Sequence, residues 1–162
     1  MYHIQPMTLE SAREIQTWTY PEPYSLYTFS KNHEVLEELM DGSYVSVWNG
    51  EKLFGYFCFG KSARVPAGHE VGVYEEDLLD IGLGIDPVET GKGNGKLFLR
   101  AGLHYATAQL GEKDFRLTVA SFNERARKVY EREGFKFNQT FVNRTKISEV
   151  PFDVMIKKEW KR

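Results

Sequence analysis

Glycine alternates with lysine and asparagine through Glu89-Thr-Gly91-Lys92-Gly93-Asn94-Gly95-Lys96. Glycines let backbone N–H groups converge on an anion, and a following helix adds the positive end of its dipole. Gly91, Lys92, Gly93, Asn94, Gly95 and Lys96 therefore read as a pyrophosphate cradle. Two common nucleotide loops fail on spacing. A Walker-type loop needs Gly at Thr90 and Ser or Thr at Leu97. A G-x-G-x-x-G fingerprint meets Lys96 or Phe98 where its last glycine belongs. An NTPase or kinase is thereby disfavoured.

The preceding strand holds a second chemical feature. Leu79, Ile81, Leu83 and Ile85 alternate onto one face, and Asp80, Gly82 and Gly84 onto the other. A face of glycines weakens a sheet unless something packs closely on its backbone. Further on, Asn123, Ala126 and Tyr130 share one helix face. An Asn and a Tyr there suit a polar ligand lying alongside; an N-cap and a core aromatic are the competing reading. His3, His33, His69 and His104 are scattered without metal spacing, so no metal is expected. Cys58 lies among alternating aromatics and reads as packed core rather than as a nucleophile.

Together these segments resemble the GNAT family of acyl-CoA-dependent N-acyltransferases. The resemblance rests on Ile85-Asp-Pro87, on Thr90-Gly-Lys-Gly93-Asn-Gly95, and on Asn123, Ala126, Tyr130, Gly134 and Phe135 in the family's later segment. It covers residues 77–137 closely. It implies acetyl-CoA as cosubstrate, with its pantetheine arm between splayed parallel strands at 79–86 and 115–120, against backbone groups of Leu83 and Ile85. It implies direct attack by an amine, Tyr130 as general acid, and Asn123 and Ala126 in cofactor binding. Asp80, toward the acyl end, is carried over as a base or as a substrate-binding residue. One departure stands out: Thr90 replaces the family's Arg or Gln, and Lys92 or Lys96 would have to compensate.

These residues need a scaffold to position them. The periodicity predicts a strand at 3–6, a helix capped by Thr8, a second capped by Ser30, and a hairpin turning at Asn49-Gly50. A loop follows over 60–76. Then come a strand at 77–85, a helix from the glycine loop to Leu110, a strand at 115–120, a helix at 123–133 ended by Gly134, and strands at 135–147 and 151–158. The expected fold is α/β: a mixed, mostly antiparallel sheet of six to seven strands with a splayed parallel pair, flanked by four helices, in one domain over 1–162. The acceptor site would be built from Trp18, Tyr20 and Tyr24, clustered with Tyr27 around two prolines, whose ring faces suit a cationic or amphipathic amine.

The 162 residues, 41% apolar and 27% charged, suit one soluble core. A single cysteine excludes an intrachain disulfide. No apolar run spans a bilayer and no signal peptide is legible, so the expected address is the cytoplasm, with no membrane partner. Residues 1–99 carry 7 basic and 15 acidic groups; residues 100–162 carry 14 and 8. No basic stripe with interleaved aromatics exists, so nucleic acid is not expected. The sequence therefore points to an N-acetyltransferase acting on a small-molecule or peptide amine, with a homodimer compatible. The alternative is a non-catalytic acyl-CoA-binding module.

Overall fold

The computed structural model describes residues 1–112 and 114–159. Seven strands, β1 (Tyr2–Pro6), β2 (Tyr44–Asn49), β3 (Lys52–Phe59), β4 (Leu79–Ile85), β5 (Phe115–Ala120), β6 (Lys136–Arg144) and β7 (Glu149–Lys157), form one sheet in the order β1-β2-β3-β4-β5-β7-β6. All neighbours are antiparallel except β4 and β5, which are parallel. Among the described residues five α-helices flank it: α1 (Leu9–Ile15), α2 (His33–Leu39), α3 (Ala67–Glu70), α4 (Gly95–Leu110) and α5 (Glu124–Arg132).

Local chemistry explains the boundaries. Thr8 Oγ1 accepts from Ser11 N–H at 3.1 Å and starts α1. Asn123 Oδ1 accepts from Ala126 N–H at 3.2 Å and starts α5; Gly134, at φ +95°, supplies the left-handed residue beyond its end. The cap of α2 is Asn32, whose Oδ1 accepts from Val35 N–H at 2.8 Å, and not Ser30. Ser30 instead offers its carbonyl to Gln16 Nε2 at 3.1 Å. The β2–β3 turn is Gly50-Glu51, one residue later than expected, because Asn49 still pairs with Lys52. The segment expected as loop contains α3 and a 3-10 turn at Gly60–Ala63.

The sheet buries apolar side chains on both faces. On one, Phe57 stacks on Phe98 of α4 at 4.5 Å, beside Ile81, Leu117 and Tyr130. On the other, α1 and α2 cover Tyr44, Tyr56 and Cys58 with Ala12, Ile15 and Leu39. A third cluster joins Tyr74, Phe141, Phe152 and Val154 under α3. Among the described residues no helix is long and apolar enough to cross a membrane.

Candidate active site

β4 and β5 pair only at Leu79↔Phe115 and Asp80↔Arg116, then part. Backbone direction alternates along a strand, so two hydrogen bonds fix it for the rest of β4. Leu79 N–H donates toward β5, to Asp114 C=O at 3.0 Å, and Asp86 N–H donates toward β3, to Phe54 C=O at 2.9 Å. The backbone groups of Ile81, Leu83 and Ile85 therefore face the open wedge between β4 and β5. Ser121 N–H turns the other way, to Pro151 C=O at 2.9 Å, so Ala120 N–H also faces the wedge.

Two phenols from the loop between α1 and α2 bond to its two sides. Tyr20 Oη donates to Ile85 C=O at 2.7 Å. Tyr27 Oη accepts from Ala120 N–H at 3.4 Å and from Asn123 Nδ2 at 3.3 Å. Tyr130 is buried against Phe135, with ring centroids 6.1 Å apart. Burial, and then the neighbouring Tyr27 phenol, raises its pKa, so it remains a proton donor at neutral pH. Tyr56 is likewise raised, first by burial and then by Tyr20. Its ring explains one of the glycines: a Cβ on Gly84 would lie 2.3 Å from Tyr56, and one on Gly82 would lie 2.6 Å from Cys58 Sγ. The close-packing partner of that glycine face is thus the protein's own β3.

The glycine loop lies at the far end of the wedge. Gly91 and Gly93 have φ of +74° and +80°, a conformation open to glycine at little cost, and both are exposed. The 16-residue helix α4 begins at Gly95. Thr90 Oγ1 donates to Pro87 C=O at 2.8 Å and so is turned back on its own loop. Lys92 reaches Glu89 at 3.5 Å, and Glu89 also holds Lys52 at 2.8 Å. Arg125 was not foreseen. Its Nη1 lies 3.1 Å from where a Gly91 Cβ would stand, and its guanidinium lies 5.1 Å over the Tyr24 ring. Among the described residues it has no carboxylate partner. A cation in the first turn of a helix opposes the dipole unless an anion joins it, and that was the legible signal.

Three expected site residues sit elsewhere. Trp18 is 7% exposed and stacks on Tyr56 at 6.5 Å, so it is core and not an acceptor contact. Tyr24 lies against Phe122 and Arg125, beside the glycine loop. Asp80 is 1% exposed and clamped: Arg116 Nε to Oδ1 at 2.7 Å, Arg116 Nη2 and Arg64 Nε to Oδ2 at 2.8 Å each. A carboxylate bound at both oxygens by two guanidiniums belongs to an ion cluster, not to proton abstraction. Asn123 both caps α5 and binds Tyr27, Ala126 packs on the core, and Lys96 is exposed at the start of α4. Among the described residues no group of His, Cys, Asp and Glu has the geometry to hold a metal.

Comparison with known proteins follows this geometry. The chain belongs to the acetyltransferase (GNAT) family, whose model matches residues 9–135. No curated protein matches it by sequence. Among solved structures, it resembles a chimera of Vibrio cholerae spermidine N-acetyltransferase SpeG and hSSAT, at 18% identity and TM-score 0.72, over 97% of this chain and 95% of that one. A provisionally named phosphinothricin N-acetyltransferase matches at 14% identity and TM-score 0.75, over 99% and 100%. A GNAT acetyltransferase from Bacillus anthracis matches at 15% and 0.72, over 96% and 93%. At these identities the likeness is one of fold.

Proposed function

We propose that the protein is an N-acetyltransferase, moving acetyl from acetyl-CoA to a primary amine by direct attack in a ternary complex. The carrying observation is the continuity of the wedge. It runs from a glycine loop with exposed backbone, past the wedge-facing backbone groups of Leu83 and Ile85, where the Ile85 C=O holds Tyr20 Oη, to the buried phenol of Tyr130. Acetyl-CoA supplies a thioester whose acyl carbon is open to an amine and whose thiol departs.

The chain's residues divide the remaining work. Gly91, Gly93, Gly95 and the start of α4 hold phosphate oxygens, with Arg125 as the cation that Thr90 does not provide. Leu83 and Ile85 offer backbone groups to the pantetheine arm, beside Asn123 and Ala126. Tyr130 donates its proton to the departing sulfur. With Asp80 closed off, the acceptor enters as the free amine, so kcat/KM rises with pH through the acceptor's own ammonium pKa. Tyr20 and Tyr27 bond to the two walls of the cleft where donor and acceptor meet. Single-domain organisation, cytoplasmic action and a homodimer through the sheet-edge strand β6 accompany this reading.

Thermal unfolding tests it. A ligand at about 100 times its Kd adds about 2.7 kcal/mol. Acetyl-CoA is expected to raise Tm where ATP does not, and Tyr130→Phe is expected to slow transfer by about a hundredfold or more, the scale of general acid catalysis, with CoA binding kept. A second reading, a non-catalytic acyl-CoA-binding module, draws on the Tyr20 and Tyr27 hydrogen bonds to the wedge backbone and on the closed Asp80. It predicts the same Tm shift with no amine-dependent thiol release.

A further inference from the structure

We propose that the acceptor amine carries an oxyanion, such as a carboxylate, and that Arg64 receives it. This rests on the N-acetyltransferase reading and names the acceptor class for that site.

The sheet face away from α4 presents Asp80, Gly82 and Gly84 from β4, and Arg116, Thr118 and Ala120 from β5; the alternate residues pack toward α4. The closed end of the wedge is the Asp80↔Arg116 pairing. It lies five residues from Ile85, or about 16 Å along the strand at ~3.3 Å per residue, on the side away from the glycine loop. Phosphates thus belong at one end and the far part of the acceptor at the other.

The charge at that closed end is unbalanced. Arg116 is fully buried and bidentate on Asp80, with Nη1 donating to Glu76 C=O at 3.0 Å, so this pair is complete by itself. Arg64 adds a second guanidinium through Nε alone. Its terminal nitrogens have no acceptor among the described residues, and its side chain is 24% exposed. The cluster carries two cations against one carboxylate. Glu76, four residues before Asp80, turns its side chain to Lys158, and Asp77, between them, is exposed. A guanidinium anchored by Nε still presents a flat pair of N–H groups, the geometry that fits a carboxylate or a phosphorus oxyanion.

The aromatic faces argue the same way. The face of Tyr74, whose hydroxyl bonds Thr118 Oγ1 at 2.9 Å, is covered by Arg64 at 5.4 Å and Arg116 at 5.0 Å. Tyr24 is covered by Arg125. Tyr24, one of the rings expected to hold a cationic acceptor, already holds a cation of the protein's own, and a polycationic acceptor would meet like charge beside Arg64.

The test is acetyl transfer to amines matched in length whose far end is carboxylate, methyl or ammonium: 4-aminobutyrate, n-butylamine and 1,4-diaminobutane, and the analogous set on a phenyl frame. Wild type is expected to favour the carboxylate member over the methyl member by about tenfold or more in kcat/KM, the scale of a charge-assisted hydrogen bond. Arg64→Met is expected to collapse that ratio to near one, and Arg64→Lys to retain part of it. A preference for ammonium, equal rates across each set, or a carboxylate preference that survives Arg64→Met would overturn the proposal. So would a uniform loss across all members in Arg64→Met, which marks a structural role, and so would no transfer to any member by a protein that acetyl-CoA stabilises. No stabilisation of wild type by acetyl-CoA would overturn the N-acetyltransferase reading itself.

Discussion

Asp80 and Tyr130 are both buried, yet burial gives them opposite tasks. A phenol pushed above its usual pKa keeps its proton and stays useful as a donor. A carboxylate held by two guanidiniums is fixed in place and loses its freedom. Asp80→Asn would leave Arg116 and Arg64 without a counter-charge, and breaking a buried pair from one side costs about 3–5 kcal/mol. The expected outcome is a large drop in the urea midpoint with the pH dependence of transfer unchanged. An unmoved midpoint with a displaced pH profile would instead return Asp80 to the role of base. The two residues differed in legibility for a physical reason. Tyr130 sits in a local helical pattern whose spacing is visible in the chain. The partner of Asp80 lies 36 positions away, on β5, and strand pairing is not a local property. A lone arginine inside Phe115–Ala120 was nonetheless a signal that some buried acid must answer it.

At the scale of elements, β4, β5 and α5 were legible nearly to the residue, because alternation, the Asn123 cap and Gly134 are all short-range signals. The loop between α1 and α2 was not, since what it does depends on where Tyr20 and Tyr27 fall across the wedge. The same holds for the junction of α5 with the glycine loop. Thr90 suggested weakened phosphate binding with lysine compensation; the fold brings Arg125 to Gly91, while Lys92 is drawn to Glu89. Arg125→Met is therefore expected to weaken acetyl-CoA binding by about tenfold or more, the value of a charge-assisted contact, and to leave acetyl-pantetheine, which lacks the pyrophosphate, unaffected. Lys92→Met is expected to change little. Equal titration curves for wild type and Arg125→Met would remove Arg125 from the cradle.

Across the whole molecule, the acidic first part and the basic second part are in part complementary to each other. Asp80 pairs with Arg116, and Glu76 with Lys158, so some of the asymmetry closes inside the fold rather than facing two ligands. What the fold buries is a set of weak acids. Burial pushes the Cys58 thiol from 9.0 up to about 12, and also raises the phenols of Tyr20, Tyr44, Tyr56 and Tyr130 above 10.0. Each holds its proton more tightly folded than unfolded. Above pH 9 the unfolded chain therefore binds fewer protons than the native one, and stability falls as pH rises. The contribution is complete below pH 9 and is lost progressively toward pH 12, with the tyrosines adding the same sign from pH 10 upward. Denaturant titrations at fixed ionic strength are expected to show a plateau near neutrality and a steep fall of the midpoint from about pH 9 to 11. Over the same range Cys58 should resist alkylation until the protein unfolds, so that modification and loss of structure share one midpoint. A thiol that reacts well before unfolding, or a midpoint flat through pH 11, would mean that these groups are hydrated and that the core between the sheet and α1–α2 is less closed than its packing indicates.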